Sequence, residues 1–174
     1  MKNVTIELSE EHQNILRVID ALLEKCNQIE NGESAEPGYF GDVISFIKNY
    51  ADGFHHHKEE DILFKAMLES GDCMHCNPIP VMLYEHDEGR HYVKMMQEAL
   101  ESENMDLMIE NARNYCLLLQ NHIYKEDNIL YPMAEEALSE EQKEAVESQY
   151  ARVNVTDFLD SDIESVIARL TKLD

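Results

Sequence analysis

The sequence lacks tryptophan and contains only six glycines and four prolines among 174 residues. Glycine and proline are the residues that most often interrupt a helix, so long stretches of the chain carry no strong helix breaker. A chain of this length can bury about two-thirds of the surface that its unfolded form exposes, which suffices for one domain without disulfide bonds. We therefore expect a single, mainly helical domain over residues 1–174.

Basic residues are also scarce, with 14 lysines and arginines against 36 aspartates and glutamates and a formal net charge of -22. Such a negative field repels the phosphates of nucleic acids and anionic lipid surfaces, so we expect neither as a partner. Acidic runs such as residues 139–144 are ordinarily solvated helix faces. The acidity by itself is therefore no argument for a metal site.

Long apolar runs are missing as well, since none approaches the roughly 18 residues that span a bilayer. The first ten residues lack the basic and apolar regions of a signal peptide. Four cysteines in a chain this long do not resemble a secreted disulfide framework, so a cytoplasmic protein is expected. Cys73 and Cys76 are interpreted as a free or redox-responsive thiol pair, with a disulfide switch as the alternative, and Cys26 and Cys116 as small buried residues.

Apolar residues recur at helical spacing along four stretches, which predicts an all-α, up-down-up-down four-helix bundle. The predicted helices, A to D, cover about residues 9–30, 41–69 (beginning at Gly41 or Asp42), 81–101 and 104–131. Ser9 is expected to cap helix A, and Pro132 is expected to end helix D. Two shorter helices, near residues 139–150 and 157–173, would form a C-terminal extension to a bundle core of about residues 8–135.

Helices B and D share an internal repeat, because residues 55–64 align without gaps on residues 122–131. In each copy a histidine precedes a glutamate by four residues, as His55 does Glu59 and His122 does Glu126. Four residues turn an α-helix only about 40° beyond a full turn, so both side chains leave the same face. Apolar residues such as Ile129 share that predicted face, which indicates that each pair points into the core.

Helices A and C each add one histidine on an apolar stripe, His12 and His86. A lone histidine on such a stripe is more often a satisfied core residue than a ligand. Here, however, two buried glutamates would face each other, which is unfavourable unless they are paired or coordinate a cation. Because carboxylates can bridge two metal ions inside a helical bundle, the four histidines and two glutamates together favour a metal centre.

The sequences around these residues resemble the hemerythrin-like HHE cation-binding family, and in particular a bacterial branch of it. The matching motifs are residues 55–64, residues 122–132 and the segment of residues 85–90, and the resemblance extends over about residues 8–132. It implies two iron ions, bridged by oxide or hydroxide, and dioxygen or nitric oxide as the small ligand. It also implies terminal imidazole ligands and bridging carboxylates, namely His12, His55, His86 and His122, with Glu59 and Glu126 as the bridges.

The chain departs from the classical oxygen carriers of that family, which have two histidines four residues apart in helix C. Arg90 occupies the second of these positions, and His91 lies five residues after His86, about 140° around the helix. His91 is thus a candidate further ligand, with a solvent-facing or outer position as the alternative. His56 and Glu60 are likewise candidates for a further metal ligand or for a supporting contact outside the ligand shell. Residues next to a ligand leave a helix in other directions, which favours the supporting role for His56.

Three functions are compatible with this pattern. The first is a di-iron protein that binds, senses or reduces dioxygen or nitric oxide, and the departure at Arg90 weighs against reversible oxygen carriage. The second is a di-iron protein that donates iron or handles nitric oxide in iron-sulfur cluster repair, together with a protein partner. The third is an acidic structural or regulatory bundle that binds zinc or no metal. The sequence does not decide whether the protein is an enzyme.

Overall fold

A computed structural model describes residues 3–70 and 77–172, and within them all regular elements are helices. Four long helical rods form the body of the molecule. The first rod is α1, Ile6–Glu30. The second rod joins α2, Pro37–Phe46, to α3, Phe64–Glu69, through two π-helical segments, Ile47–His56 and Glu59–Leu63, called wide-turn segments because a π-helical turn holds more residues than an α-helical one. The third rod is α4, Ile79–Glu101; the fourth joins α5, Met105–Lys125, through the wide-turn segment Glu126–Leu130, to α6, Tyr131–Ala137.

The rods form a four-helix bundle, as the sequence predicts. The first and third rods each pack against the second and fourth, so every rod contacts its two neighbours around the bundle. Two apolar clusters fill the interior, one containing Ile15, Leu22 and Val93, the other containing Leu8 and Leu63. Along each rod, the histidines and glutamates of interest fall between members of these two clusters. The bundle therefore presents them inward, between two apolar layers.

Two further helices follow the fourth rod, and these were also predicted. Helix α7, Glu140–Tyr150, begins with a capping box in which Ser139 and Gln142 exchange side-chain and backbone hydrogen bonds. It packs against the wide-turn segment of the second rod that contains Glu59. After a single turn of 3-10 helix, Val155–Asp157, helix α8, Ile163–Leu170, packs on α1 and α2.

Several predicted helix starts are wrong, among them that of α8, which begins at Ile163 rather than near residue 157. Helix α1 begins at Ile6, where the side chain of Asn3 accepts hydrogen bonds from the backbone N–H groups of Thr5 and Ile6. The hydroxyl of Ser9, the predicted cap, instead donates to Asp127 in the fourth rod. Helix α2 begins at Pro37 rather than near residue 41, because proline has the backbone angle of a first helical residue and needs no partner for a missing N–H.

The predicted end of helix D at Pro132 is wrong too, because the fourth rod continues to Ala137. The backbone N–H of Tyr131 donates to the carbonyl of Glu126, five residues earlier, so the turn before the proline is wider than α-helical. This shift removes the usual conflict between a proline ring and the preceding turn. It also changes which side chain faces inward: Ile129 is 48% exposed, and Leu130 is buried instead.

The longest wide-turn segment, in the second rod, contains a glycine that leaves little room for a side chain. A β carbon at Gly53 would lie 3.2 Å from the carbonyl oxygen of Lys48 and 3.1 Å from the ring of Phe158. A helix with i to i+5 hydrogen bonds turns less per residue than an α-helix, so successive side chains diverge less. The residues that follow Gly53 are His55 and His56, which makes this difference important for the site.

The structure tests only one of the two predictions about the cysteines. Cys26 and Cys116 are buried, as expected. Cys73 and Cys76 lie outside the described residues, so their role as a thiol pair stays a prediction. No helix within residues 3–70 and 77–172 is long and apolar enough to cross a bilayer.

Candidate metal centre

Seven buried side chains from all four rods converge in the middle of the bundle. They form two groups, in each of which one nitrogen or oxygen per residue lies within 4.8 Å of the others. One group contains His56, His86, His122 and Glu59; the other contains His12, His55, Glu126 and again Glu59. All six residues that the sequence nominated as metal ligands are therefore brought together, and His56 joins them.

The two glutamates lie between the two groups. The carboxylate of Glu126 places one oxygen 3.2 Å from Nε2 of His12 and the other 3.1 Å from Nε2 of His122. An oxygen of Glu59 lies 3.4 Å from Nε2 of His86 and 3.6 Å from Nε2 of His55. Each carboxylate thus faces imidazole nitrogens of both groups, which is the arrangement that a bridging ligand requires.

Every histidine of the site has a second carboxylate on its other ring nitrogen. The Nδ1 atoms lie 2.7 to 3.2 Å from these partners, in the pairs His12 with Asp127, His55 with Glu11, His56 with Asp52, His86 with Glu60, and His122 with Glu85. A carboxylate on Nδ1 holds the ring in one orientation and favours the tautomer whose Nε2 lone pair is free. The carboxylates therefore prepare the inward-facing nitrogens to bind metal.

These outer partners follow an approximate two-fold repeat. Glu11 accepts a hydrogen bond from the buried Lys58, and Glu85 accepts one from Lys125 at the equivalent place in the second copy. The dipeptides Glu11-His12 and Glu85-His86 are thus a second internal echo that the sequence analysis did not notice. In the same way, Glu60 and Asp127, which follow Glu59 and Glu126, contact His86 and His12.

His56, a candidate for a further ligand or a supporting contact, lies among the inward-facing imidazoles. Its side chain is only 7% exposed, and its ring stacks on that of His86 with centroids 3.7 Å apart. The wide turns of Ile47–His56 allow both His55 and His56 to face the centre. Asp52, four residues earlier, is the sequence signal that could have identified this histidine. In the second copy of the repeat, Ile123 occupies the position equivalent to His56. The two groups therefore differ by one imidazole.

The other two candidate residues, His91 and Glu60, lie outside the cluster of seven buried side chains. His91 is exposed, and its ring lies beside that of Tyr92, so the structure does not bring it to the site. Glu60 contacts Nδ1 of His86 and accepts a hydrogen bond from Arg90, which is the supporting role expected of it. Asp127, five residues after His122, contacts Nδ1 of His12 from outside.

Tyr131 is a neighbour of the site whose role the sequence analysis missed. Its buried hydroxyl donates a 2.6 Å hydrogen bond to Glu59 and lies 3.3 Å from Nε2 of His12. The equivalent residue of the other copy is Phe64, whose ring lies near His86 and has no hydroxyl to donate. The two ends of the site therefore differ in polarity as well as in their number of imidazoles.

In the absence of cations, burial and neighbouring charges shift the pKa values of several side chains in the site. Burial, reinforced by the neighbouring Glu126, raises the pKa of Glu59. Burial alone would lower the pKa of His12, His86 and His122, but the surrounding carboxylates outweigh it and raise these values to about 9, 9 and 10. Burial holds the pKa of His55 well below its usual range. The carboxylates thus favour proton binding at these imidazoles, and metal binding would displace the bound protons.

The donor atoms fit a pair of metal cations. His55 Nε2 and Glu59 Oε2 are buried and have no hydrogen-bond partner. The Nε2 atoms of His86 and His122 are turned to the same point and lie only 3.0 Å apart. Unpartnered buried polar atoms are unfavourable, and cations at the centre of each group would satisfy them. Imidazole and carboxylate ligands suit iron and other transition metals.

A comparison with protein families gives a match to the hemerythrin HHE cation binding domain over residues 3–134. The chain belongs to this family. The matched region includes all seven side chains of the site, so family membership and geometry point to the same metal-binding helical domain, with iron as the metal that the family suggests. A comparison with curated proteins returns no match.

Proposed function

We propose that this hemerythrin domain holds two iron ions and uses them to bind dioxygen or nitric oxide. The observation that carries the proposal is the position of Glu59 and Glu126, each of which faces imidazole nitrogens of both groups. A site for a single metal ion would not require carboxylates that each face imidazoles of two groups. In this assignment His12 and His55 serve one ion, His56, His86 and His122 serve the other, and the two glutamates bridge them.

The difference between the two groups supports a small ligand as well as a metal. The group of His12 and His55 has one imidazole fewer, so it leaves more coordination positions unfilled by protein atoms. The hydroxyl of Tyr131, which donates to Glu59, lies at this end, 3.3 Å from Nε2 of His12. When bound, a pair of irons supplies electron transfer to and from diatomic ligands. The protein contributes orientation of the imidazoles and exclusion of bulk water from the buried site.

Metal identity tests the first half of the proposal. We expect protein purified without added metal to contain about two irons per chain by mass spectrometry and to absorb in the near ultraviolet in air. Protein reconstituted with zinc is the matched control, because zinc fills the same ligands without an absorption band. Zinc alone or no metal, after gentle purification, would contradict the proposal.

Ligand binding tests the second half. Nitric oxide added without air to the reduced, iron-loaded protein should change its absorption spectrum in a saturable way. The zinc-reconstituted protein should show no such change. An iron-loaded protein whose spectrum ignores both nitric oxide and dioxygen would retain the metal site and lose the proposed function.

A further inference from the structure

A cavity of about 200 Å³ runs from the protein surface to one side of the site, between the second, third and fourth rods. Its inner end is formed by His56, His86 and His122, which are buried. Its outer end has the exposed side chains of Lys48 and Lys94. Between the two ends the wall is mainly apolar, with Gly89, Val93, Tyr115, Leu118 and Leu119.

The cavity lies where the internal repeat of the chain is broken. His86 and His12 occupy equivalent positions, so Gly89 corresponds to Ile15, whose side chain is buried. A β carbon at Gly89 would lie 3.6 Å from the ring of Tyr115, an ordinary van der Waals distance. Steric conflict therefore does not explain the glycine. Its effect is to leave open a volume that an isoleucine occupies in the other half.

The volume exceeds what a diatomic gas needs. An apolar cavity of about 150 Å³ in another protein is large enough to bind benzene. The present cavity thus has room for a small organic molecule with a six-membered ring or a branched chain of similar size. The apolar side chains along the wall, such as Val93 and Leu119, would contact such a body.

The charges at the outer end indicate the sign of the ligand. Three of the chain's 14 basic residues line this cavity, together with two acidic residues that are each paired with a base. Lys94 pairs with Glu98 at 3.7 Å. Arg90 is already held by Asp52 and Glu60. Lys48, in contrast, contacts the neutral amide oxygen of Gln97 at 3.3 Å, so its charge remains available to an anion.

We propose that the cavity binds a small organic anion with a ring-sized apolar body, whose charged group pairs with Lys48. The body lies against Gly89 and Val93 and approaches the ring of His56. This ligand is distinct from the diatomic ligand of the proposed function and enters on the side of the three-histidine group. Only its position beside an iron rests on that function, because the cavity itself is formed by protein atoms.

Calorimetry of the iron-loaded full-length chain with benzoate tests the charge. We expect saturable binding at one site in about the millimolar range, weaker binding of the uncharged benzyl alcohol, and no saturation by acetate. Lys48→Gln should weaken benzoate about two- to fivefold at low salt, the size expected of an exposed ion pair, and leave benzyl alcohol unchanged. Lys65→Gln, far from the cavity, is the control. Equal binding of benzoate by the Lys48 variant and its control would overturn the pairing.

Gly89→Ile tests the location, since it restores the residue found in the other half. It should abolish binding of benzoate and benzyl alcohol while thermal melting shows a folded protein. If that variant does not fold, Gly89→Val decides in the same way. Undiminished binding in the folded variant, or no binding to wild type, would overturn the proposal. Benzoate binding to protein that never loads two irons would contradict the proposed function alone, and two irons without benzoate binding would contradict this inference alone.

Discussion

Tyr131 in the fourth rod donates a 2.6 Å hydrogen bond to Glu59 in the second rod. Both groups are fully buried, so the hydroxyl is the protein partner that satisfies one oxygen of this carboxylate. Tyr131→Phe keeps the ring and removes the donor. We expect the metal-free variant to lose about 1–3 kcal/mol in its free energy of unfolding, the penalty of an unsatisfied buried acceptor. Urea unfolding measures this, with the exposed Tyr124→Phe as a control that should show no loss.

Glu126→Gln should lower the metal content at both positions, because its two oxygens face His12 and His122 of different groups. An amide offers one neutral oxygen in place of two charged ones and cannot bridge two cations well. Mass spectrometry of the purified variant should give well under two irons per chain. Glu136→Gln, an exposed change in the same rod, should retain the wild-type content. Full occupancy in the Glu126 variant would remove the bridging assignment.

His56 and His57 form a matched pair of neighbouring histidines. His56 lies in the site, whereas His57 is exposed and contacts Asp61 at 2.8 Å. His56→Ala should reduce iron content and alter the absorption spectrum, and His57→Ala should change neither. His91→Ala should resemble the latter, since His91 is also exposed. A His56 variant with unaltered metal content and spectrum would place this ring outside the ligand shell.

Glu60→Gln tests the carboxylates behind the imidazoles. Glu60 contacts Nδ1 of His86 at 2.7 Å and also accepts from Arg90, and it is partly exposed, so the fold should tolerate the change. Loss of such a partner typically lowers metal affinity about 10- to 100-fold. Competition with a chelator would measure the change, and Glu88→Gln, two residues before Arg90 in the third rod, serves as the comparison. Equal affinities of the two variants would argue against orientation of His86 by Glu60.

The metal-free protein should become less stable as the pH rises above neutral. His12, His86 and His122 have pKa values of about 9, 9 and 10 in the folded state, above the value of about 6.5 expected when unfolded. Their stabilisation is complete below about pH 6.5 and is lost as the pH rises through 9 to 10. In the metal-loaded protein the imidazoles are deprotonated and bind the metal, so its stability should not show this loss. Melting temperatures of both forms between pH 6 and pH 10 would test it; parallel curves would contradict the assignment.

Much of the fold and most of the site could be predicted from sequence because they depend on helical periodicity. His55 with Glu59 and His122 with Glu126 keep the spacing of one helical turn, and neighbouring apolar residues direct that face inward. Apart from the helix starts, the errors fall where the helical period changes. Wide turns brought His56 into the centre, carried the fourth rod past Pro132 and turned Ile129 outward. Hydrogen bonds that skip one more residue leave no composition signal that local spacing can detect.

By itself, the sequence determined the all-α bundle, the repeat between residues 55–64 and 122–131, and the six residues that it nominated as ligands. The tertiary structure alone decided which carboxylate stands behind each imidazole, that Tyr131 reaches Glu59, and that Gly89 leaves a cavity beside one group. The reason is physical: spacing within one helix determines which of its side chains share a face. Contacts between helices depend on how far and at what rotation four separate rods pack together, and that is settled only when their cores interlock.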